Sequence, residues 1–265
     1  MHLAMKVDAD TQIVQQRLQL MDYTPEPIAR PGPTGKSADL WAHADSDSIV
    51  VEVKSRVDDA KTADQLTHAP VGEILEREGD LGRKNRLSAV VEEASLQIAD
   101  SQHQYPGVGI LWFRANPRLG FDDSEHQMQA TLLGIRDVVW IRGDDSKGTS
   151  AFGATFSDFY RFPNIDAAVL EIEDKGRLLL NPFSRRKPEL MHTRLYEFFA
   201  KTGGVLDIDE IPAPKAFIVR GEVDRGDENA VRKALCEQYP GYKFILFDMK
   251  SYGFITKVDL SRTSS

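Results

Sequence analysis

The sequence has very little cysteine: Cys236 is the only one in 265 residues. A single cysteine cannot form an internal disulfide, which fits a reducing compartment such as the cytoplasm. No apolar run approaches the roughly 20 residues that a membrane-spanning helix needs. The N-terminal stretch MHLAMKVDAD also lacks the apolar segment of a secretory signal. We therefore expect a cytoplasmic protein with no membrane partner.

The sequence also has fewer basic than acidic residues. It contains 33 lysines and arginines against 41 aspartates and glutamates, which gives a formal net charge of -8. This balance counts against a protein that coats nucleic acid non-specifically, because phosphate contacts need Lys and Arg. It does not count against a metal-dependent enzyme, since a metal site needs carboxylates and a local basic strip can coexist with an acidic whole.

Several common catalytic patterns are missing. The six histidines show no ligand spacing typical of a structural zinc site, and no serine stands in a G-x-S-x-G elbow. The stretch Gly32–Ser37 looks like part of a phosphate-binding P-loop, but Arg30 takes the place of the first glycine and a strand is expected after it. We expect Cys236 to pack in the core and the three tryptophans to be buried or half-buried.

Hydrophobic periodicity and turn residues predict an α/β protein. Helices are expected over 11–21, 71–78, 86–102, 188–201 and 227–238. Strands are expected over 38–43, 49–56, 109–113, 136–142, 167–172, 177–180, 216–220, 242–247 and 252–258. The prolines of 25–33 exclude a helix and make a poor strand, and the glycine-rich stretch 143–153 indicates a mobile loop. The expected architecture is a mixed central sheet flanked by helices in residues 1–204, followed by a small C-terminal βαββ unit in residues 205–265.

The most specific pattern lies in residues 37–56, where two strand-like runs enclose a polar turn at 44–48. A pairing that is symmetric about this turn sets Asp39 directly across from Glu52. Side chains alternate along a strand, so Lys54 joins Glu52 on the same face. The opposite face of this hairpin is apolar and is expected to pack in the core: Leu40, Ala42, Ile49, Val51 and Val53.

Two carboxylates that face each other on a hairpin repel, which destabilises the pairing. A divalent cation that bridges Asp39 and Glu52 removes this repulsion, and oxygen ligands suit Mg²⁺ or Mn²⁺. Such an ion stabilises the charge that develops on phosphorus and lowers the pKa of a bound water. Lys54 would orient that water or stabilise the transition state. These parts suffice for the hydrolysis of a phosphodiester.

The pattern of Asp39 followed by Glu52-Val53-Lys54 on an apolar strand resembles the PD-(D/E)XK nuclease superfamily, which has the restriction-endonuclease-like fold. The order helix, hairpin, helix, strand over residues 11–113 matches the core of that family. The resemblance implies magnesium-dependent cleavage of nucleic acid, usually DNA, with Asp39 and Glu52 as metal ligands. It also implies the carbonyl of Val53 as a further metal ligand and Lys54 as the catalytic base or water-positioning residue. An endonuclease that cuts both strands usually needs two active sites, which is compatible with a homodimer.

The sequence departs from the family pattern in several places. Ala38 stands where the family name has proline, and the strand expected before the hairpin would fall in the proline-rich stretch. Many members carry a metal-binding glutamate on the first helix, whereas the predicted first helix offers only Asp22. Some members place a glutamine and a tyrosine four residues apart on the helix after the lysine. Here Gln97 is followed by Ser101, so this submotif is incomplete and an exonuclease-like subgroup is not supported.

Four further residues are candidates for auxiliary roles. Gln97 could face the active site from its helix, although a partly buried glutamine explains the pattern equally well. Lys84 and Arg86 begin that helix and could bind a phosphate. Ser55 directly follows the lysine and could also contact phosphate. Lys84, Arg86 and Ser55 could equally be ordinary surface residues that are exposed to solvent.

Other interpretations stay open at this point. An ordinary cross-strand ion network on a solvent-exposed hairpin would also bring an aspartate, a glutamate and a lysine together. The chain could be a non-catalytic nuclease-fold protein that binds nucleic acid or a partner protein, and the net charge of -8 favours the protein partner. It could also be a metal-dependent hydrolase of another phosphate substrate.

Overall fold

A computed structural model of the protein describes residues 8–28, 37–45, 47–56, 68, 74–79, 84–115, 123–172, 175–247 and 252–257. The strands of these residues are β1 (Thr24–Pro27), β2 (Leu40–His43), β3 (Ser48–Arg56), β4 (Ile74–Gly79), β5 (Val108–Ala115), β6 (Arg136–Arg142), β7 (Asp145–Phe152), β8 (Ala167–Ile172), β9 (Lys175–Leu180), β10 (Val205–Leu206), β11 (Ala216–Ile218), β12 (Lys243–Phe247) and β13 (Tyr252–Lys257). The helices are α1 (Ala9–Leu20), α2 (Asn85–Gln102), α3 (Asp123–Leu133), α4 (Asp158–Arg161), α5 (Lys187–Leu190), α6 (Arg194–Lys201) and α7 (Glu228–Gln238), with a 3-10 turn at Ile208–Glu210.

The larger sheet has seven strands in the order β1-β2-β3-β5-β8-β9-β10. The central strands β3, β5 and β8 are parallel, while β1–β2, β2–β3 and β8–β9 are antiparallel pairs. Parallel neighbours need a long crossover connection, and the connection from β3 to β5 contains α2. The expected α/β class with a mixed central sheet flanked by helices is therefore confirmed.

Two apolar layers cover the two faces of this sheet. On one face α1 and α6 pack against the strands, and Val14 and Phe199 belong to this layer together with Val51. On the other face α2 and α3 pack against the strands, and Ile98 belongs to that layer together with Val50. Successive residues of β3 therefore point to different layers, as the two-residue period of a strand requires. All five hairpin residues expected to share the apolar face lie in the α1 layer.

A second sheet has the strand order β11-β7-β6-β12, and α7 covers one of its faces. The predicted C-terminal elements are present, but they do not form a βαββ unit of their own. β11 pairs with β7, β12 pairs with β6, and β13 pairs with β4. The physical reason is that the β6–β7 hairpin has an apolar face that must also be buried. The C-terminal elements bury it: Val138 and Ala151 pack with Phe217 and Leu235.

Four other local predictions are wrong, and in the first two of them strand pairing overrides local propensity. The expected helix 71–78 is the strand β4 in its described part, and the expected loop 143–153 contains β7, which pairs with the whole of β6. The expected helix 188–201 is divided into α5 and α6. Cys236 is exposed on α7 rather than buried.

The proline-rich stretch 24–36 forms the strand β1 in its first four residues, Thr24–Pro27, contrary to expectation. β1 lies at the edge of the larger sheet, where a proline is tolerated because its missing N–H is not needed on the open side. Pro25 lies opposite Ala42 and Pro27 opposite Leu40. Most of the P-loop-like stretch Gly32–Ser37 falls outside the described residues.

A close approach at Gly109 fixes the distance between α2 and the sheet. A Cβ added at Gly109 would lie 2.3 Å from the carbonyl oxygen of Asn164 and 2.7 Å from a methyl group of Ile98. Asn164 is itself tied to α2, because its amide donates to the carbonyl of Ser95 at 2.8 Å and its oxygen accepts from the Ser95 hydroxyl at 2.7 Å. There is consequently no room for a side chain at this position of β5.

We expect Gly109→Ala to lower the free energy of unfolding by about 1–3 kcal/mol, the usual cost of overpacking. Gly148→Ala is a matched control, because Gly148 also lies in a strand and nothing lies within 4 Å of a Cβ added there. Urea denaturation of both variants measures the difference. Equal stabilities of the two variants would contradict the tight contact.

Candidate active site

The hairpin of β2 and β3 has the register that the sequence predicts. Leu40 lies opposite Val51 and His43 opposite Ser48. One residue before β2, the same register places Asp39 opposite Glu52. The chain at Asp39 is held on both sides, because its N–H donates to the carbonyl of Val51 at 3.1 Å and its carbonyl accepts from the N–H of Ile28 at 3.0 Å.

The Asp39 carboxylate is held against β3. Its Oδ2 accepts a hydrogen bond from the backbone N–H of Val53 at 2.9 Å. In a strand, the N–H and the carbonyl of one residue point to the same side. The Val53 carbonyl is therefore directed toward the side of β3 on which Asp39 lies.

Glu52 is almost completely buried, with 2% of its surface exposed. Its Oε1 forms an ion pair with Lys54 Nζ at 2.9 Å, whereas its buried Oε2 accepts no hydrogen bond from the residues that the structure describes. The carboxyl groups of Glu52 and Asp39 lie within hydrogen-bonding reach of each other. Two carboxylates and one amine thus meet in a single small patch on the α2 face of the sheet. Glu52 is buried and both Asp39 and Lys54 are half-buried, unlike the solvent-exposed ion network that the alternative interpretation required.

The surroundings of the patch raise the pKa of both carboxyl groups. Burial raises the pKa of Glu52 to about 8, the nearby Asp39 carboxylate adds to the rise, and Lys54 opposes it. Burial also raises the pKa of Asp39, against the opposing hydrogen bond from the Val53 amide, and the charge of Asp8 adds to the rise. Near neutral pH this carboxyl pair therefore retains a proton when no cation compensates its charge.

Helix α2 supplies the wall of the patch. Gln97, which is 8% exposed, accepts a hydrogen bond from Lys54 Nζ at 3.0 Å and donates one to the carbonyl of Ser37 at 3.1 Å. One turn further along, the Ser101 hydroxyl accepts from the N–H of Ala38 at 2.8 Å. The helix thereby fixes both the lysine and the backbone that leads into Asp39.

The structure does not bring the other auxiliary candidates into the patch. Arg86 is exposed in the first turn of α2, about 16 Å along the helix axis from Gln97. Lys84 precedes the helix, and its N–H donates to the Thr131 hydroxyl at 3.3 Å. Ser55 is exposed and points to the opposite face of β3 from Lys54.

Two acidic residues that lie near the patch were not predicted from the sequence. Glu93 lies one helical turn before Gln97, and its Oε2 is 3.6 Å from Lys54 Nζ. The four-residue spacing on a helix already indicates a shared face. Asp8 caps α1 by accepting from the N–H of Thr11 at 2.9 Å, and its charge acts on Asp39. An aspartate three residues before a threonine is a recognisable capping pattern, but its closeness to Asp39 depends on tertiary packing.

The donor set of the patch fits a hard divalent cation. Glu52 Oε2 is a buried oxygen with no partner, and the Asp39 carboxylate lies beside it. Within the described residues, no group of three or more Asp, Glu, His or Cys side chains is arranged to hold a metal. Magnesium does not need such a group, because it keeps several waters and is commonly bound by one or two carboxylates together with substrate phosphate.

Comparison with known proteins gives no match: no family model, no curated protein and no solved structure shows significant similarity to the chain. Membership of the PD-(D/E)XK superfamily therefore stays a prediction based on the hairpin residues. In the ranges that the structure describes, no helix is long and apolar enough to cross a membrane.

We expect Glu52→Gln to stabilise the metal-free protein above about pH 7. In the unfolded chain Glu52 loses its proton near its ordinary pKa of 4.5, whereas the folded protein keeps it up to about 8. Because the folded state binds more protons over this interval, the wild-type free energy of unfolding falls as pH rises from about 5 to 8. Glutamine removes that loss and can still accept from Lys54 and donate to Asp39.

Thermal melts from pH 5 to 8.5 in the presence of a chelator measure this effect. The variant should melt well above the wild type at pH 8.5, because a rise in pKa from 4.5 to about 8 corresponds to several kcal/mol, with little difference at pH 5. Glu237→Gln, on the exposed side of α7, is the control and should follow the wild-type profile. A constant difference between the Glu52 variant and the wild type at all pH values would contradict the retained proton.

Proposed function

We propose that the chain is a nuclease that requires magnesium or manganese and hydrolyses phosphodiester bonds, with DNA as its substrate. The observation that carries this proposal is the buried Glu52 opposite the half-buried Asp39 and beside Lys54, with one Glu52 oxygen that has no hydrogen-bond donor among the described residues. Burying two like charges costs free energy, and a purely structural hairpin gains nothing from it. The cost is explained if the pair holds a cation.

Each residue of the patch has a defined part in this reaction. Asp39 and Glu52 would hold the metal ion, and the Val53 carbonyl would be a further ligand. When bound, the metal supplies positive charge at the phosphate and acidifies a bound water. Lys54 places its ammonium group 2.9 Å from Glu52 Oε1, where it can orient the attacking water and stabilise negative charge on the phosphate oxygens. Gln97 holds the Lys54 amine in this place.

The order of elements supports the same proposal. Helix α1, the β2–β3 hairpin, α2 and the parallel strand β5 follow one another as in the core of the PD-(D/E)XK superfamily. Asp39 begins the hairpin, and Glu52, Val53 and Lys54 lie on its second strand. The single cysteine favours the cytoplasm as the location of the protein. For a nuclease that cuts both strands of a duplex, we propose a homodimer with two active sites.

A cleavage assay with near-isosteric variants tests the proposal. Asp39→Asn, Glu52→Gln and Lys54→Met should each lower cleavage by at least about a hundredfold, because each removes charge stabilisation from the reacting phosphate. Asp45→Asn is the matched control: Asp45 lies in the turn of the same hairpin with its side chain fully open to solvent. The assay uses supercoiled, linear and single-stranded DNA and an RNA, with Mg²⁺, with Mn²⁺ and with a chelator.

Cleavage that persists in all three patch variants would rule out this mechanism. A wild-type protein that cleaves nothing and shows no change of melting temperature with Mn²⁺ would instead favour the non-catalytic interpretation. The net charge of -8 would then point to a protein partner. If Asp45→Asn also loses activity, the assay reports the integrity of the hairpin rather than the chemistry of the Asp39–Glu52 pair.

A further inference from the structure

Arg56 lies in line with the candidate active site. It is the last residue of β3, and side chains two residues apart on a strand share a face. Glu52, Lys54 and Arg56 therefore form a row on the α2 face of the sheet. Arg56 is about 7 Å from Lys54 along the strand, at the strand rise of 3.3–3.4 Å per residue. This separation is comparable with that between successive phosphates of one nucleic-acid strand.

Arg56 is held in place by a neutral side chain. Its Nη1 donates a hydrogen bond of 2.9 Å to Oε1 of Gln127, which is 5% exposed on α3. Arg56 itself is half-buried. In the described part of the chain no carboxylate forms an ion pair with it. Gln127 fixes the direction of the guanidinium group and, unlike a carboxylate, carries no charge that would compensate it.

This lack of an acidic partner sets Arg56 apart from other half-buried arginines of the described chain. Those arginines pair with carboxylates: Arg17 with Glu171, Arg114 with Asp10 and Glu171, Arg136 with Glu228, Arg186 with Glu189, and Arg194 with Asp45. The buried Arg225 is satisfied by backbone carbonyls. A half-buried guanidinium group that a neutral side chain holds in one orientation is an arrangement that binds an anion well, because little side-chain freedom remains to be lost.

We propose that Arg56 binds the phosphate next to the scissile one on the substrate strand. This inference rests on the proposed nuclease function and names a residue that positions the substrate. With Nη1 engaged by Gln127, the remaining N–H groups of Arg56 are the donors for a phosphate oxygen. The substrate strand then runs from the Glu52–Lys54 patch along β3 toward α3.

Binding of single-stranded DNA to the full chain tests the proposal. The background is Glu52→Gln with Mg²⁺ present, which blocks cleavage, and fluorescence anisotropy is recorded from 50 to 300 mM salt. Adding Arg56→Gln should weaken binding about tenfold, as expected for one charge-assisted hydrogen bond. It should also reduce the slope of log Kd against log salt by about 0.7, the contribution of one phosphate contact on a single strand. Arg232→Gln, exposed on α7, is the control and should change neither value.

A second variant separates substrate binding from a structural role. Gln127→Glu places a carboxylate against Arg56 and neutralises it by an ion pair. It should weaken DNA binding as Arg56→Gln does, while its melting temperature stays at or above that of the wild type. If Arg56 only tied β3 to α3, this ion pair would strengthen the tie and leave DNA binding unchanged. Gln238→Glu, on the exposed side of α7, adds the same charge elsewhere as a control.

The kinetics of cleavage complete the test. With the catalytic residues intact, Arg56→Gln should raise KM about tenfold with kcat nearly unchanged, and Arg56→Lys should recover most of the loss. If the wild-type protein cleaves DNA but neither Arg56→Gln nor Gln127→Glu changes KM or the salt slope, the inference is overturned. The proposed function would still stand. Absence of both cleavage and DNA binding in the wild-type protein overturns the inference together with the proposed function. If Arg56→Gln does not fold, the result for Gln127→Glu decides.

Discussion

A buried glutamate that faces a half-buried aspartate on one hairpin is the constraint on which the proposed chemistry depends. Asp39 and Glu52 come together because the β2–β3 register pairs them, and the backbone N–H of Val53 holds one of them in place. Burial raises the pKa of both groups, and the Asp39 carboxylate raises that of Glu52 further. Lys54 compensates only part of their charge, since Glu52 Oε2 is left without a partner. The pair must therefore hold either a proton or a cation.

The rest of the larger sheet keeps this unfavourable arrangement in place. Packing on both faces orders β3, and hydrogen bonds from α2 to Ser37, Ala38 and Lys54 hold the patch in place. The close contact at Gly109 sets how near α2 approaches the strands. The apolar layers on the two sides of the sheet supply the stabilisation that offsets the buried charges. This is the usual relation between a rigid scaffold and a locally destabilised site.

The sequence predicts the centre of this site better than its surroundings. The period of two along β3 and the symmetric turn suffice to place Glu52 and Lys54 together opposite Asp39, because strand geometry is local and regular. The approach of Asp8 depends on how α1 packs across the sheet, and no local pattern shows it. The second sheet was missed for a related reason. The polar β7 becomes a strand because it pairs with its hairpin neighbour β6 and with β11, and β11 lies far along the chain.

The most direct test is a calorimetric titration of Mn²⁺ into the chelator-treated protein at pH 7, in two buffers with different enthalpies of ionisation. If the cation replaces the proton of the Asp39–Glu52 pair, the dependence of the heat on the buffer should report release of about one proton per bound ion. Glu52→Gln should abolish this release. Tight Mn²⁺ binding without proton release, or equal release in the variant, would contradict the account.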